Sequence, residues 1–430
     1  MRQLRRIGCA LALVSLTAPA FAMGGFGVTN MPVVYPDGTS FQQLANVANV
    51  TLLVGDFNGD HRTDMALIGG SSWGSVPVAF SGGDGTFNLT NRAFDSRCPN
   101  FASDAATPGA RPLVGDFNGD GKADIALIGP PAWGFVSMAF SNGDGTFTCT
   151  RMSSTLTGWS NNNYHPVALV GDFDHDGKDD IALVGPATWD WIIVAYSDGG
   201  GNFSVFTVLT PQPNDFGNWA SLPNVHPLIG DFNHDGIKDI ALTGNSDWGS
   251  LPVAFGTSTR GAFNITNQPI SEFATWASKP NAHPLVGDFN HDSKDDVALT
   301  GVSGWDSVPV AFSNGDGTFT VTNTSILDFA GYATDPAAKI LVGDFNGDGL
   351  ADIALTGPSD WQSIPVAFSH GDGSFVVTNQ PIVNFGNWAS SGTPVVGDFN
   401  DDHKADVAVT GPGDWVDLPV AFSLSPNVTP

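Results

Sequence analysis

The residues best suited to chemistry are acidic and evenly spaced. Between Val114 and Trp133, Asp116, Asn118, Asp120 and Asp124 stand at positions 1, 3, 5 and 9 of a single loop. A tight loop turns alternate side chains inward, so these oxygens converge and supply several of the roughly six to eight oxygen ligands that calcium takes. The set recurs with Asp56, Asn58, Asp60 and Asp64; with Asp172, Asp174, Asp176 and Asp180; and with Asp231, Asn233, Asp235 and Asp239. It returns again with Asp288, Asn290, Asp292 and Asp296; with Asp344, Asn346, Asp348 and Asp352; and with Asp398, Asn400, Asp402 and Asp406. Position 7 holds Arg62, Lys122, Lys178, Ile237, Lys294, Leu350 or Lys404, which share no side-chain chemistry. That indifference suits a position that offers only its backbone carbonyl. Position 12 is Leu or Val where an EF-hand carries Glu, and the following residues read as a strand, so these are not EF-hands. Up to seven calcium ions are the expected cofactor, each held weakly, at ~10⁻⁴ to 10⁻³ M. His175, His234 and His291, at position 4, read as solvated, and position 6 is Gly in four loops but His61, Ser293 or His403 in the others.

The second repeated chemistry is aromatic. Trp73, Trp133, Trp189, Trp248, Trp305, Trp361 and Trp415 each lie four residues after the Gly that closes an apolar run. A second slot, in the connector before each V-G-D-F, holds Leu44, Arg97, Trp159, Trp219, Trp276, Tyr332 and Trp388. One reading is filler between packed elements, since Trp buries a large area. The other is a set of sugar platforms: an indole face stacks on a pyranose ring while nearby Asp and Ser take its hydroxyls. Asp247, Asp306, Asp360 and Asp414 stand beside such Trp residues. Units three to seven carry aromatics in both slots, whereas units one and two have Leu44 and Arg97, so those two are expected to bind poorly.

These residues need elements to position them, and the elements repeat. G-D-F-[ND] recurs seven times at intervals of 54 to 60 residues. Each unit carries four strand signals in one order, as in F-x-V-T-N, L-V-G-D-F, D-I-A-L-T-G and P-V-A-F-S, with Gly-rich turns such as Ser141–Phe147 between two of them. Four short strands per unit, seven times over, predict an all-β, closed seven-bladed β-propeller of antiparallel blades across residues 23–430. The segment from Gly24 to Asn30 is an F-x-V-T-N strand with no unit before it, and the last unit, ending in Pro419–Ser423, lacks that strand. The N-terminal strand is therefore expected to complete the last blade and leave no open sheet edge at the seam. Strand alternation puts both aromatic slots on one face of the ring and the acidic loops on the other.

A net charge of −27 over 430 residues argues against nucleic acid or anionic membrane as a partner. Residues 1–22 read as a secretory signal: Arg2, Arg5 and Arg6, an apolar run, then Ala20-Phe21-Ala22. Beyond it no stretch is long and apolar enough to insert in a membrane, so the mature chain is expected outside the cytoplasm, extracellular or periplasmic. Cys98 and Cys149 could bridge there. Cys149, however, takes the slot that Val321 and Leu89 fill in other units, and a buried free thiol is the preferred reading.

The D-x-[ND]-x-D-G-x-x-D loops and their spacing resemble the FG-GAP or VCBS-type repeats of integrin α-subunit heads, of bacterial secreted proteins and of a fungal lectin with an integrin-like propeller. The resemblance covers residues 24–430. It implies calcium loops between the first two strands of blades, and no single activity. Three Asp in each loop plus Asp174 account for 22 of the 43 acidic residues, and no catalytic set stands apart from the repeats, so an enzyme is not expected. The expectation is a secreted, calcium-stabilised, multivalent carbohydrate-binding protein, with glycans or glycoconjugates as partners. The alternative is a protein-binding adhesion or matrix scaffold that contacts a surface protein.

Overall fold

The computed structural model describes residues 25–130, 132–160, 166–185, 189–210, 215–358 and 360–425, so the leader expected at residues 1–22 lies outside the described residues. The D-I-A-L segments are buried at every position, because each forms the second strand of a sheet packed on both faces. Around them stand seven four-stranded antiparallel sheets. In the second, Arg111–Gly115, Asp124–Ile128, Phe135–Ser141 and Phe147–Ser153 are bonded in chain order. The first strands touch one another around the whole ring, which makes the molecule a closed seven-bladed propeller.

Closure follows the sequence reading. Phe26–Pro32 pairs antiparallel with Asp417–Ser423, in register from Phe26 opposite Ser423 to Pro32 opposite Asp417. The Phe26 ring meets Phe345 of blade 6 edge-on at 6.2 Å, as Phe203 of blade 3 meets Phe117 of blade 2 at 6.1 Å. The core is divided among the seven gaps. Between blades 4 and 5, for example, Phe232, Val253 and Phe255 pack on Val297, Leu299 and Ala311. Each loop contributes its position-2 Phe, from Phe57 to Phe399, at 0–1% exposure.

Two features depart from the sequence reading. Each connector that carries the second aromatic slot folds into a short helix, such as Phe216–Ala220, Ser271–Ala277 or Leu327–Ala333. At five to nine residues these helices are too short for their apolar period to stand out. The free-thiol reading is also corrected: Cys98 and Cys149 form a disulfide with 4.8 Å between their Cα atoms. The connector after blade 1 brings Cys98 against the last strand of blade 2, where the bond forms from the side-chain position that Val or Leu occupies elsewhere.

Candidate functional site

The acidic loops are built around the position-1 Asp. Asp116 Oδ1 accepts the N–H of Gly119 (2.7 Å) and of Asp120 (3.1 Å), and its Oδ2 accepts that of Gly121 (2.8 Å). Collecting these donors requires two turns of the chain through positive φ, at positions 4 and 6. Gly119 and Gly121 fill them here, while His291 and Ser293, or Asp401 and His403, fill them in the fifth and seventh loops. Sequence reasoning found position 6 and missed position 4. His175 and His291 are exposed as expected, but each also places Nδ1 within 3.0 Å of the carbonyl of Gly236 or Gly349 in the next loop.

The position-9 Asp residues are placed differently from a simple ligand. All seven are fully buried. One carboxylate oxygen accepts the N–H of the position-2 Phe, as from Phe232 to Asp239 at 2.8 Å. The other accepts the N–H that ends the third strand, as from Gly256 to Asp239 at 2.8 Å. Loss of hydration pushes these carboxyls up, to about 7 at Asp64 and Asp406 and about 8 at Asp124, Asp180, Asp239, Asp296 and Asp352, against the opposing pull of the two N–H donors.

Position 7 has a role that its variety concealed. Five of its side chains are basic, and each folds back on the position-5 carboxylate of its own loop: Arg62 on Asp60, Lys122 on Asp120, Lys178 on Asp176, Lys294 on Asp292 and Lys404 on Asp402. Only Ile237 and Leu350 leave Asp235 and Asp348 without that partner.

Calcium fits this donor set, which is built from carboxylate and amide oxygens. In the third loop Asp172, Asp174 and Asp176 offer oxygens within 4.8 Å of one another, but Arg260 of the next blade already pairs with Asp174 and Asp176 there, leaving Asp174 Oδ1 buried without a hydrogen-bond partner among the described residues. Asp398, Asp401 and His403 form a second such cluster, drawn from positions 1, 4 and 6.

The loops also bind the blades together, through contacts that the motif alone did not reveal. Each position-8 N–H donates to the position-1 carbonyl of the preceding loop, from Ala123 to Asp56 (2.7 Å) round to Thr63 and Asp398 (2.6 Å). In five blades the Ser that ends the third strand donates to the position-2 carbonyl of the preceding loop, as Ser141 does to Phe57 at 2.6 Å.

The opposite ends of the blades carry the aromatic slots. Six of these turns bring the Trp back over themselves, with the Trp73 N–H donating to the Gly70 carbonyl at 3.0 Å and the Trp415 N–H to that of Pro412 at 2.9 Å. The second-slot rings meet these indoles near edge-on: Trp159 with Trp189 and Tyr332 with Trp361 at 5.5 Å, and Trp219 with Trp248 at 6.5 Å. Trp276 with Trp305, and Trp388 with Trp415, border the same two clusters. Most of these rings are half-buried, with one edge in a gap and one toward solvent. Trp189 is the correction: at 2% exposure it is core and presents no face to a ligand. Trp191, which sequence reasoning passed over, stands 5.7 Å from Trp159 in the same gap. Arg97 is paired with Asp95, and Leu44 packs beside Trp73.

At the seam between blades 6 and 7, a groove of about 510 Å³ is lined by Phe26, Val28, Thr29 and Asn30 of the N-terminal strand and by Ile382, Asn384 and Trp388. Asn30 donates through Nδ2 to Asp417 at 3.1 Å, while its Oδ1 is buried with no hydrogen-bond partner among the described residues. Asp247, Asp306, Asp360 and Asp414 are all exposed beside their Trp residues.

One of the solved structures that the chain is similar to supports the fold at a TM-score above 0.5. A lectin of Agrocybe aegerita described by its specific recognition of non-reducing terminal N-acetylglucosamine is similar at TM-score 0.62 and 21% identity, over 85% of this chain and 86% of that one. A fungal alcohol oxidase of the AA5 family, in complex with copper, is similar at TM-score 0.49 and 11% identity, over 94% and 76%. The NanB sialidase of Streptococcus pneumoniae is similar at TM-score 0.40 and 11% identity, over 89% and 69%. No curated protein matches the chain. The model of the FG-GAP-like repeat matches residues 56–127, 116–183, 288–355 and 344–409, more than half of the sequence, and the chain belongs to that repeat family.

Proposed function

We propose that this protein is a secreted, calcium-stabilised, multivalent carbohydrate-binding protein that takes sugars in the grooves between blades, on the face opposite the acidic loops. The observation that carries the reading is the groove at the seam. It combines a half-buried indole, Trp388, with apolar walls and the exposed side-chain amide of Asn384. A sugar presents this combination in reverse, with C–H faces for the indole and hydroxyls for the amide. The Agrocybe aegerita lectin of the same fold makes terminal N-acetylglucosamine the first sugar to try. The Cys98–Cys149 disulfide supports an oxidising compartment and so the secretory reading of residues 1–22.

One shallow site of this kind gives only millimolar affinity, about 4 kcal/mol. Several sites around one ring gain a further factor of about 10² to 10⁴ against a polyvalent surface. A glycan array on the mature protein, with and without chelator, tests the reading. Trp388→Ala is expected to weaken binding while leaving the ring folded. Silence across a broad array, calcium present, would overturn the carbohydrate reading and favour a protein-binding scaffold. The observation on that side is the exposed apolar pair Phe206 and Leu209 on the outer strand of blade 3, at 39% and 68% exposure.

A further inference from the structure

The gap between blades 3 and 4 departs from the other six in several places at once. The third loop has Asp174 at position 3, where every other loop has Asn. In four other loops that Asn clamps the loop through its amide, as Asn233 Nδ2 donates to Asp235 Oδ2 at 3.0 Å and Asn346 Nδ2 to Asp348 Oδ2 at 2.9 Å. Asp174 has no amide to give. The turn that covers this loop comes from blade 4, and it differs too. It reads Gly256-Thr-Ser-Thr-Arg-Gly-Ala262, where the corresponding turns of other blades carry Asp84, Asp144, Asp198, Asp316 or Asp372 and no Arg or Lys.

The two changes meet. Arg260 donates through Nε to Asp174 Oδ2 and through an Nη to Asp176 Oδ2 at 3.0 Å. One guanidinium thus bridges positions 3 and 5, the pair that the Asn amide bridges elsewhere, and does so from the neighbouring blade. Tyr196, where other blades have Phe, supports it. Its ring lies 5.3 Å from the guanidinium carbon, and its hydroxyl accepts the Gly261 N–H at 2.9 Å. Lys178 adds a second cation on Asp176 at 2.8 Å. A planar guanidinium suits this two-carboxylate bridge better than an ammonium does.

We infer that Arg260 is the resident cation of the third loop. It latches blade 4 onto blade 3 and holds that loop in shape without a divalent ion, although the loop is the richest in carboxylates. Arg260 takes Asp174 Oδ2 and leaves Oδ1 buried and unpartnered, so a divalent ion at this loop would have to share the carboxylate with the latch. The inference rests on the calcium reading of the other loops only for its comparison with them.

The test uses the mature protein in chelator and in calcium. In chelator, Arg260→Gln is expected to lower Tm by about 2–4 °C, because it leaves a buried carboxylate unpaired. Arg260→Lys, which keeps the charge but not the fork, is expected to fall between. In a calcium titration followed by calorimetry, the double variant Asp174→Asn with Arg260→Gln recreates the asparagine loop and is expected to bind one more ion per chain than the wild type. An unchanged Tm for Arg260→Gln in chelator would overturn the latch. So would a variant that loses a bound ion, since Arg260 would then be supporting a metal site. A protein that binds no calcium anywhere would sink the calcium reading of the other loops, while the chelated Tm would still decide the role of Arg260.

Discussion

Replacing Asp239 separates the structural and the ionic roles of the acidic loops. Its two carboxylate oxygens accept the N–H of Phe232 and of Gly256, both at 2.8 Å, and the side chain is fully buried. Asp239→Ala leaves two buried donors unsatisfied. At about 1–3 kcal/mol for each, the loss is about 2–6 kcal/mol. Unfolding a domain of about 400 residues carries an entropy near 0.8 kcal/mol per kelvin, so Tm is expected to fall by about 2–7 °C. Asp239→Asn keeps one acceptor but turns an amide donor toward the other N–H, and is expected to lose about half as much. Both variants are measured by thermal unfolding in chelator and in millimolar calcium. If the backbone bonds dominate, the loss persists in chelator and Ala is worse than Asn. A loss that vanishes in chelator, equal for the two variants, would refute this reasoning and make Asp239 chiefly a calcium ligand.

Other outcomes follow from the same geometry. Deleting residues 25–32 removes the strand paired with Asp417–Ser423, and is expected to cause aggregation or a large fall in Tm; an unchanged Tm would contradict the closure. Reducing the Cys98–Cys149 bond, which spans 51 residues, is expected to lower stability by about 2–4 kcal/mol, read as a shifted denaturation midpoint that Cys98→Ser with Cys149→Ser reproduces. The position-9 carboxyls stand at about 7 to 8 in the folded chain, raised above their unfolded values by burial. Their contribution is therefore fully present below about pH 4 and is lost as pH rises through about 8, so Tm in chelator is expected to decline across that window and calcium to flatten the decline. Among the loops, those at Asp288 and Asp398 hold side chains at both positive-φ positions, while those at Asp116 and Asp344 hold Gly at both; calcium titrations of position-1 Asp→Asn variants are expected to find the first pair weakest and the second tightest.

Much of this was legible in the sequence, for definable reasons. Asp residues at alternate positions and an unpaired F-x-V-T-N at one end are local patterns, and a closed ring is the arrangement that satisfies them seven times. The contacts that stayed hidden run between blades. Nothing about Ala123 or Lys238 suggests a hydrogen bond to a carbonyl more than 60 residues away, because the donor is the backbone N–H and any residue supplies it. The disulfide was misread for a related reason. Register places Cys149 in a Val or Leu slot, and only the path of the preceding connector brings Cys98 to it. Burial of Trp189 was equally inaccessible, since it stands four residues after a Gly as Trp248 does and that spacing does not report the packing around it.

The two ends of the molecule are coupled through the gaps between blades. In each loop the position-1 side chain gathers N–H donors from its own loop, while its carbonyl receives the position-8 N–H of the next. In five of the gaps the position-2 carbonyl also receives the next blade's Ser, as Phe232 does from Ser313 at 2.6 Å. An ion that fixes a loop therefore fixes two acceptors to which the neighbouring blade is tied, and so acts on blade spacing as well as on loop order. The aromatic pairs lie in the same gaps, at the far end, and their separation depends on that spacing. Blades 3 and 4 are the exception: Gly256 stands where other blades have Ser, and Arg260 spans the gap in its place. Withdrawing calcium is expected to loosen the other gaps first and leave the one that holds Trp219 and Trp248 least changed.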